Sequence, residues 1–108
     1  MDDDFDRLLA LLDELVGLLS ANSQPHWAQW VEADAARIRQ GDARGVTHFL
    51  SAFGTMGSLN DVVLEPSRRD SDAVAGLGPL DQRFRQLSSE AYALADALRR
   101  TLSIEGIL

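Results

Sequence analysis

The 108-residue sequence predicts an all-α fold, a small antiparallel helical bundle of three long helices and one or two short ones. Three observations carry this expectation. Apolar residues recur at helical spacing in four stretches, so each helix has a face to bury. Glycine, proline or brief polar runs separate the stretches, and mostly short connections favour antiparallel neighbours. Hydrophobic residues make up 45% of the chain, enough for one core, and the length leaves no room for a second. Residues 1–108 therefore read as a single helical domain.

The first helix is expected from Asp4 to Ser20, where Phe5, Leu8, Leu9, Leu12, Leu15, Val16 and Leu19 keep the period. Leu11 and Leu18 widen its stripe to about half the wheel. A stripe this wide must meet two neighbours in the fold or a second chain. Asp2, Asp3 and Asp4 suit the positive end of the helix dipole. Ala21, Asn22 and Ser23 end the helix, with Ser23 as the expected cap of the next.

The second helix is expected over Pro25–Gln40, with proline tolerated in the first turn. Trp27, Trp30, Val31 and Ile38 form its apolar stripe, and Asp34 falls inside that stripe. Gly41 is a natural stop and Asp42 a natural start. The third helix, Ala43–Phe53, carries Val46, Phe49, Leu50 and Phe53 at i, i+3, i+4, i+7. Leu59–Leu64 reads equally as a two-turn helix or a short extended run. Residues 65–79, with Pro66, Gly76, Gly78 and Pro79, read as a mobile surface loop. The last helix, Leu80–Leu102, repeats Leu80, Phe84, Leu87, Ala91, Leu94, Ala95 and Leu98. The apolar tail after it is expected to fold back on the bundle.

Composition excludes several functions. There is no cysteine, hence no disulfide, zinc-thiolate site or thiol catalysis. Ten arginines stand against 17 acidic residues, 10 − 17 = −7, and there is no lysine. A negative surface repels nucleic acid and anionic membranes and speeds encounter with a basic partner. The acidic start Met-Asp-Asp-Asp does not resemble a secretory signal, and Asp13 and Glu14 interrupt the leucine-rich stretch that follows. A cytoplasmic protein is the expectation.

Asp34 is the most informative single residue, because a carboxylate on an apolar helix face must be paired or hydrogen-bonded. Its structural reading is an acceptor for a Trp indole N–H, for Arg44, or for backbone N–H groups of the glycine corner Gly54–Asp61. Its functional reading is a general base or a ligand for a partner's arginine. The structural reading is favoured, with Trp27, Trp30, Gly54 and Gly57 as further structural anchors. In that corner the glycines suit a tight turn, without the cations or spacing of a phosphate loop. His48 lies off the apolar stripe and is expected to be exposed. Neither His48 nor His26 has metal-ligand spacing, and no nucleophile, base and orienter can be assembled. No catalytic residue, metal or cofactor is expected.

The segment Trp27–Leu64, with Gly41-Asp42, His48-Phe49-Leu50 and Phe53-Gly54-Thr55-Met56-Gly57-Ser58-Leu59-Asn60-Asp61, resembles a family of small bacterial proteins of unknown function. That family's string is similar to Phe-Gly-Gly-Met-Gly-Ser-Leu-Asn-Asp, and Thr55 departs from its second glycine. Small acidic proteins of this kind resemble immunity proteins, which by analogy implies an antidote that blocks a basic toxin domain. The expected partner contacts are Glu32, Asp42, Asn60, Asp61, Asp70 and Asp72. Two other readings stay open: a homo-oligomeric structural or adaptor module, a homodimer for instance, and a small-ligand binder or enzyme using Asp34 and the glycine corner.

Overall fold

The computed structural model describes residues 2–54, 58–59, 62 and 78–107. Among them are four helices: α1 (Asp2–Ala21), α2 (Pro25–Arg39), α3 (Arg44–Leu50) and α4 (Pro79–Ile104). No strand occurs among the described residues. The all-α bundle is the observed architecture.

The wide stripe of α1 finds both of its neighbours within the chain, α2 and α4. Leu8, Leu12, Leu15 and Leu19 are wholly buried, and Phe5, Leu9, Val16 and Leu18 pack around them. Each such leucine contributes about 1.5–3 kcal/mol by leaving water. Two ion pairs display the antiparallel register of α1 and α4: Arg7 meets Glu90, and Glu14 meets Arg83. Phe5, Ile38 and Leu102 gather at one end of the bundle, so α2 and α4 both run opposite to α1. The short α3 packs against α2 and α4 and closes the ring of four helices.

Backbone chemistry ends three helices in the same way. Beyond α1, Ser23 adopts φ 62° while the Gln24 N–H donates to Leu19 O at 2.9 Å. Beyond α2, Gly41 adopts φ 83° while the Asp42 N–H donates to Arg37 O at 2.9 Å. Beyond α4, Gly106 adopts φ 80° while the Ile107 N–H donates to Leu102 O at 2.9 Å. All three are left-handed terminations that satisfy carbonyls orphaned at a helix end. Ser23 is thus not the cap of α2. That position belongs to Gln24, which makes no side-chain capping bond.

Other expectations are corrected locally. The tail returns only in part: Ile107 joins Phe5, Ile38 and Leu102 around one hollow, but it stays 55% exposed and Ile104 86% exposed, because α4 itself runs on to Ile104. Leu80 lies at the exposed start of α4 and not in the core. α3 stops at Leu50, and i→i+3 bonds from Ala52 and Phe53 carry the chain onward as turns. Leu59 lies in a 3₁₀ turn whose carbonyl accepts from the Val62 N–H at 3.2 Å. The remainder of the Leu59–Leu64 expectation, and all of the 65–79 loop except Gly78 and Pro79, fall outside the described residues.

One glycine sets the helix packing. A Cβ on buried Gly45 would stand 2.8 Å from Asp34 O and 2.9 Å from Ile38 Cγ1. Only the bare backbone allows α3 to lie this close to α2. Gly45→Ala is expected to destabilise the fold by about 1–3 kcal/mol through overpacking, read as a lower urea midpoint. Ser23→Gly is expected to act oppositely, raising stability by about 0.5–1 kcal/mol by relieving the left-handed serine.

Candidate functional site

Asp34 is wholly buried on the inner face of α2, next to the α2–α3 contact that Gly45 permits. From α3, one turn beyond Gly45, His48 brings Nδ1 to 2.6 Å from Asp34 Oδ1. With Asp34 ionised, the Nδ1–H donates and Oδ1 accepts. Arg37 adds a looser ion pair to the same oxygen at 3.6 Å. The other carboxylate oxygen, Oδ2, is buried and finds no hydrogen-bond partner among the described residues.

The partners foreseen for Asp34 are therefore corrected. No indole serves it, and Trp30 Nε1 is itself buried without a partner among the described residues. Arg44 turns away to Asp42, whose carboxylate accepts from both its backbone N–H and its guanidinium Nε at 3.0 Å. Among the described residues Asp34 meets His48 and Arg37, and most of the glycine corner, residues 55–57, 60 and 61, falls outside the described residues. His48 is correspondingly half-buried, not free: 40% of its side chain is exposed. Its ring stacks on Trp30, centroids 4.3 Å apart and planes inclined by 16°. Trp27 and the exposed His26 extend this aromatic ledge along α2, with ring centroids 4.8 Å apart. The two tryptophans flank the core, which is built by Ala28, Val31, Ala35 and Ile38.

Burial raises the Asp34 carboxyl above the ordinary 3.8, and the His48 hydrogen bond and the nearby Arg37 charge pull the other way. Asp42 and Asp96 are held low, chiefly by their hydrogen bonds to Arg44 and Arg99. Asp34 therefore keeps its proton more tightly folded than unfolded. The stability from that proton is fully present below about pH 3.8 and is lost as pH rises through the folded value.

Beside the dyad, α3 turns a polar stripe outward. Arg44, Thr47, His48 and Ser51 are spaced i, i+3, i+4, i+7, opposite the buried Val46 and Phe49. With Arg37 and Asp42 they line an open hollow of about 470 Å³. A second concavity, about 550 Å³, lies between the end of α3 and α4, where Phe53 and Tyr92 meet edge to face. Among the described residues no group of three or more His, Cys, Asp or Glu could hold a metal ion.

Of the expected partner contacts, Glu32 is exposed on α2 and Asp42 is engaged with Arg44. Asn60, Asp61, Asp70 and Asp72, and the anchor Gly57, lie outside the described residues. Gly54 is described and takes φ 100°, the backbone freedom expected of that corner. The sequence reading overlooked the Asp34–His48 pairing and its dependence on Gly45. The available signal was the polar 44/47/48/51 stripe facing away from the apolar one. It also overlooked Asp81, a wholly buried carboxylate in the first turn of α4 that accepts from Arg85 Nε at 2.7 Å.

Residues 20–72 match the model of a family described as a domain of unknown function (DUF6966). That segment contains α2, α3, Gly45, Asp34 and His48. No curated protein and no solved structure gives a significant match. Among the described residues no helix is long and apolar enough to cross a membrane.

Carboxyl ¹³C shifts followed through a pH titration are expected to place the Asp34 midpoint above 3.8. In His48→Gln the midpoint should rise further, because the imidazole's hydrogen bond and charge are gone. A midpoint at or below the ordinary value would refute the burial argument.

Proposed function

We propose that this chain is a protein-binding module of the immunity or antidote type, which neutralises a basic toxin domain through an acidic helical surface. The observation that carries the reading is an imbalance of charge pairing. Every arginine among the described residues is engaged with a carboxylate of the same chain, Arg39 with Asp13 and Arg83 with Glu14 being examples. Arg99 and Arg100 converge on Asp96, and Arg85 meets Asp81. By contrast, Asp3, Asp4, Asp6, Glu32 and Glu105 are exposed and have no ion pair among the described residues.

Among the described residues the unpaired acids stand on the first turns of α1, where the helix dipole favours them, on the outer side of α2 and after α4. Exposed intramolecular pairs are worth little to stability, and unpaired acids cost self-repulsion. A cationic partner relieves that repulsion and is steered toward it. Solubility alone is the competing explanation, and partner capture distinguishes the two. The wide stripe of α1, which left room for a second copy, is taken up by α2 and α4. The protein-binding reading therefore stands ahead of the oligomeric one.

The test is recovery of a partner from the native host with the tagged full chain, followed by rescue of cells expressing that partner. Binding should weaken steeply with added salt, and joint replacement of Asp3, Asp4, Asp6 and Glu32 by Asn or Gln should slow association about tenfold or more at low salt. Capture of no cationic, growth-inhibiting protein, or capture indifferent to salt and to these substitutions, would overturn the reading.

A further inference from the structure

The hollow between α2 and α3 is balanced in charge, unlike the acidic chain that carries it. On a chain of net charge −7, it gathers Arg37, Arg44 and His48 around one open volume of about 470 Å³. Two hydroxyls, Thr47 and Ser51, complete its polar wall. We propose that this hollow is a proton-linked binding site for an oxyanion of the phosphate class. The inference goes beyond the protein-binding reading and stands on different residues.

The arrangement of donors supports it. Arg44 is held by Asp42, so its charge is largely balanced. Among the described residues Arg37 makes only the 3.6 Å ion pair to Asp34, and 46% of its side chain is exposed. Its planar guanidinium matches two oxygens of a tetrahedral anion. The hydroxyls of Thr47 and Ser51 donate to the carbonyls of Arg44 and His48 at 3.0 and 2.6 Å. Each can turn from its carbonyl and donate to the ligand instead.

The Asp34–His48 pair supplies the proton linkage, with the imidazole facing the ligand. The His48 Nδ1 is tied to Asp34 and the ring is stacked on Trp30, so the imidazole is fixed in place. The remaining nitrogen, Nε2, is an acceptor in the neutral ring and a donor in the imidazolium. The charged groups around His48 are Asp34 and Arg37 from α2, and Arg44 with its Asp42 beside its own helix. Counting these groups, two arginines are opposed by two carboxylates. Uptake of one proton by the hydrogen-bonded Asp34–His48 pair therefore leaves the hollow with a surplus positive charge. Anion binding and proton uptake must then favour one another, by the reciprocity of linked equilibria.

The chemistry is shared by free phosphate and by a phosphorylated side chain. Inorganic phosphate and phosphoserine are therefore titrated separately into the full chain at constant ionic strength, with chloride as the control. The readouts are Trp fluorescence, since Trp30 contacts the His48 ring, and the ¹⁵N shifts of His48 and Arg37. Saturable binding is expected for at least one probe, tightening as pH is lowered, with uptake of a proton. Equal affinity for both probes assigns the free ion, and tighter phosphoserine binding assigns the phosphorylated side chain. Arg37→Gln, at an exposed position, should weaken binding about tenfold or more, the loss of one charge-assisted contact. Arg100→Gln, an exposed arginine on α4, serves as the control and should leave it unchanged. Overturning results are no saturation with either probe, an equal response to chloride, equal weakening in the two variants, or affinity indifferent to pH.

Discussion

The contact between α2 and α3 turns on a carboxylate that cannot be left alone. Asp34 is completely buried, and an unpaired charge at such depth would cost several kcal/mol. His48 meets it from across the helix pair at 2.6 Å. That meeting requires the two helices to approach more closely than side chains ordinarily allow. Gly45 makes the approach possible, because a single added carbon would collide with the Asp34 carbonyl. Packing and electrostatics are therefore one constraint. The glycine sets the distance, and the distance sets the hydrogen bond.

From that pair the polar face follows. Holding His48 against Asp34 and Trp30 aligns the rest of the α3 stripe, so Arg44, Thr47 and Ser51 share one hollow with Arg37. The opposite stripe of the same helix places Val46 and Phe49 in the core. A helix of seven residues has little intrinsic stability in water. Its conformation depends on these tertiary anchors and on Asp42, which accepts from the Arg44 backbone N–H. The polar hollow and the closing wall of the bundle are two faces of the same short element.

Elsewhere the charge distribution divides into two kinds. Among the described residues, arginines are drawn into pairs that tie helices together or lie along one helix, as Arg83 does with Glu14 and Arg99 with Asp96. Acidic residues without such pairs remain on α1, on α2 and after α4. A surface built this way is not uniformly acidic. Among the described residues it presents a negative exterior with a locally balanced hollow between α2 and α3.

Much of the fold was legible in the residues themselves. The leucines of α1 and the Phe84–Leu98 series of α4 carry a 3.6-residue period, and periodicity is a local property that survives without knowledge of neighbours. Glycines at 41 and 54 marked chain reversals because the left-handed backbone they adopt is itself local. Asp34 was likewise visible as a polar residue on an apolar face. Its partner was not, because His48 lies 14 residues away and the pairing exists only once Gly45 has seated α3. Ser23 was misread for a related reason: serine favours caps, yet here the chain path after α1 holds it in a left-handed turn. The sequence by itself determined that the periodic leucine, valine and phenylalanine series of α1 and α4 would form helices with a buried face. Only the tertiary structure decided how closely two of those helices approach, since side-chain partners across a helix interface depend on distances that no single segment encodes.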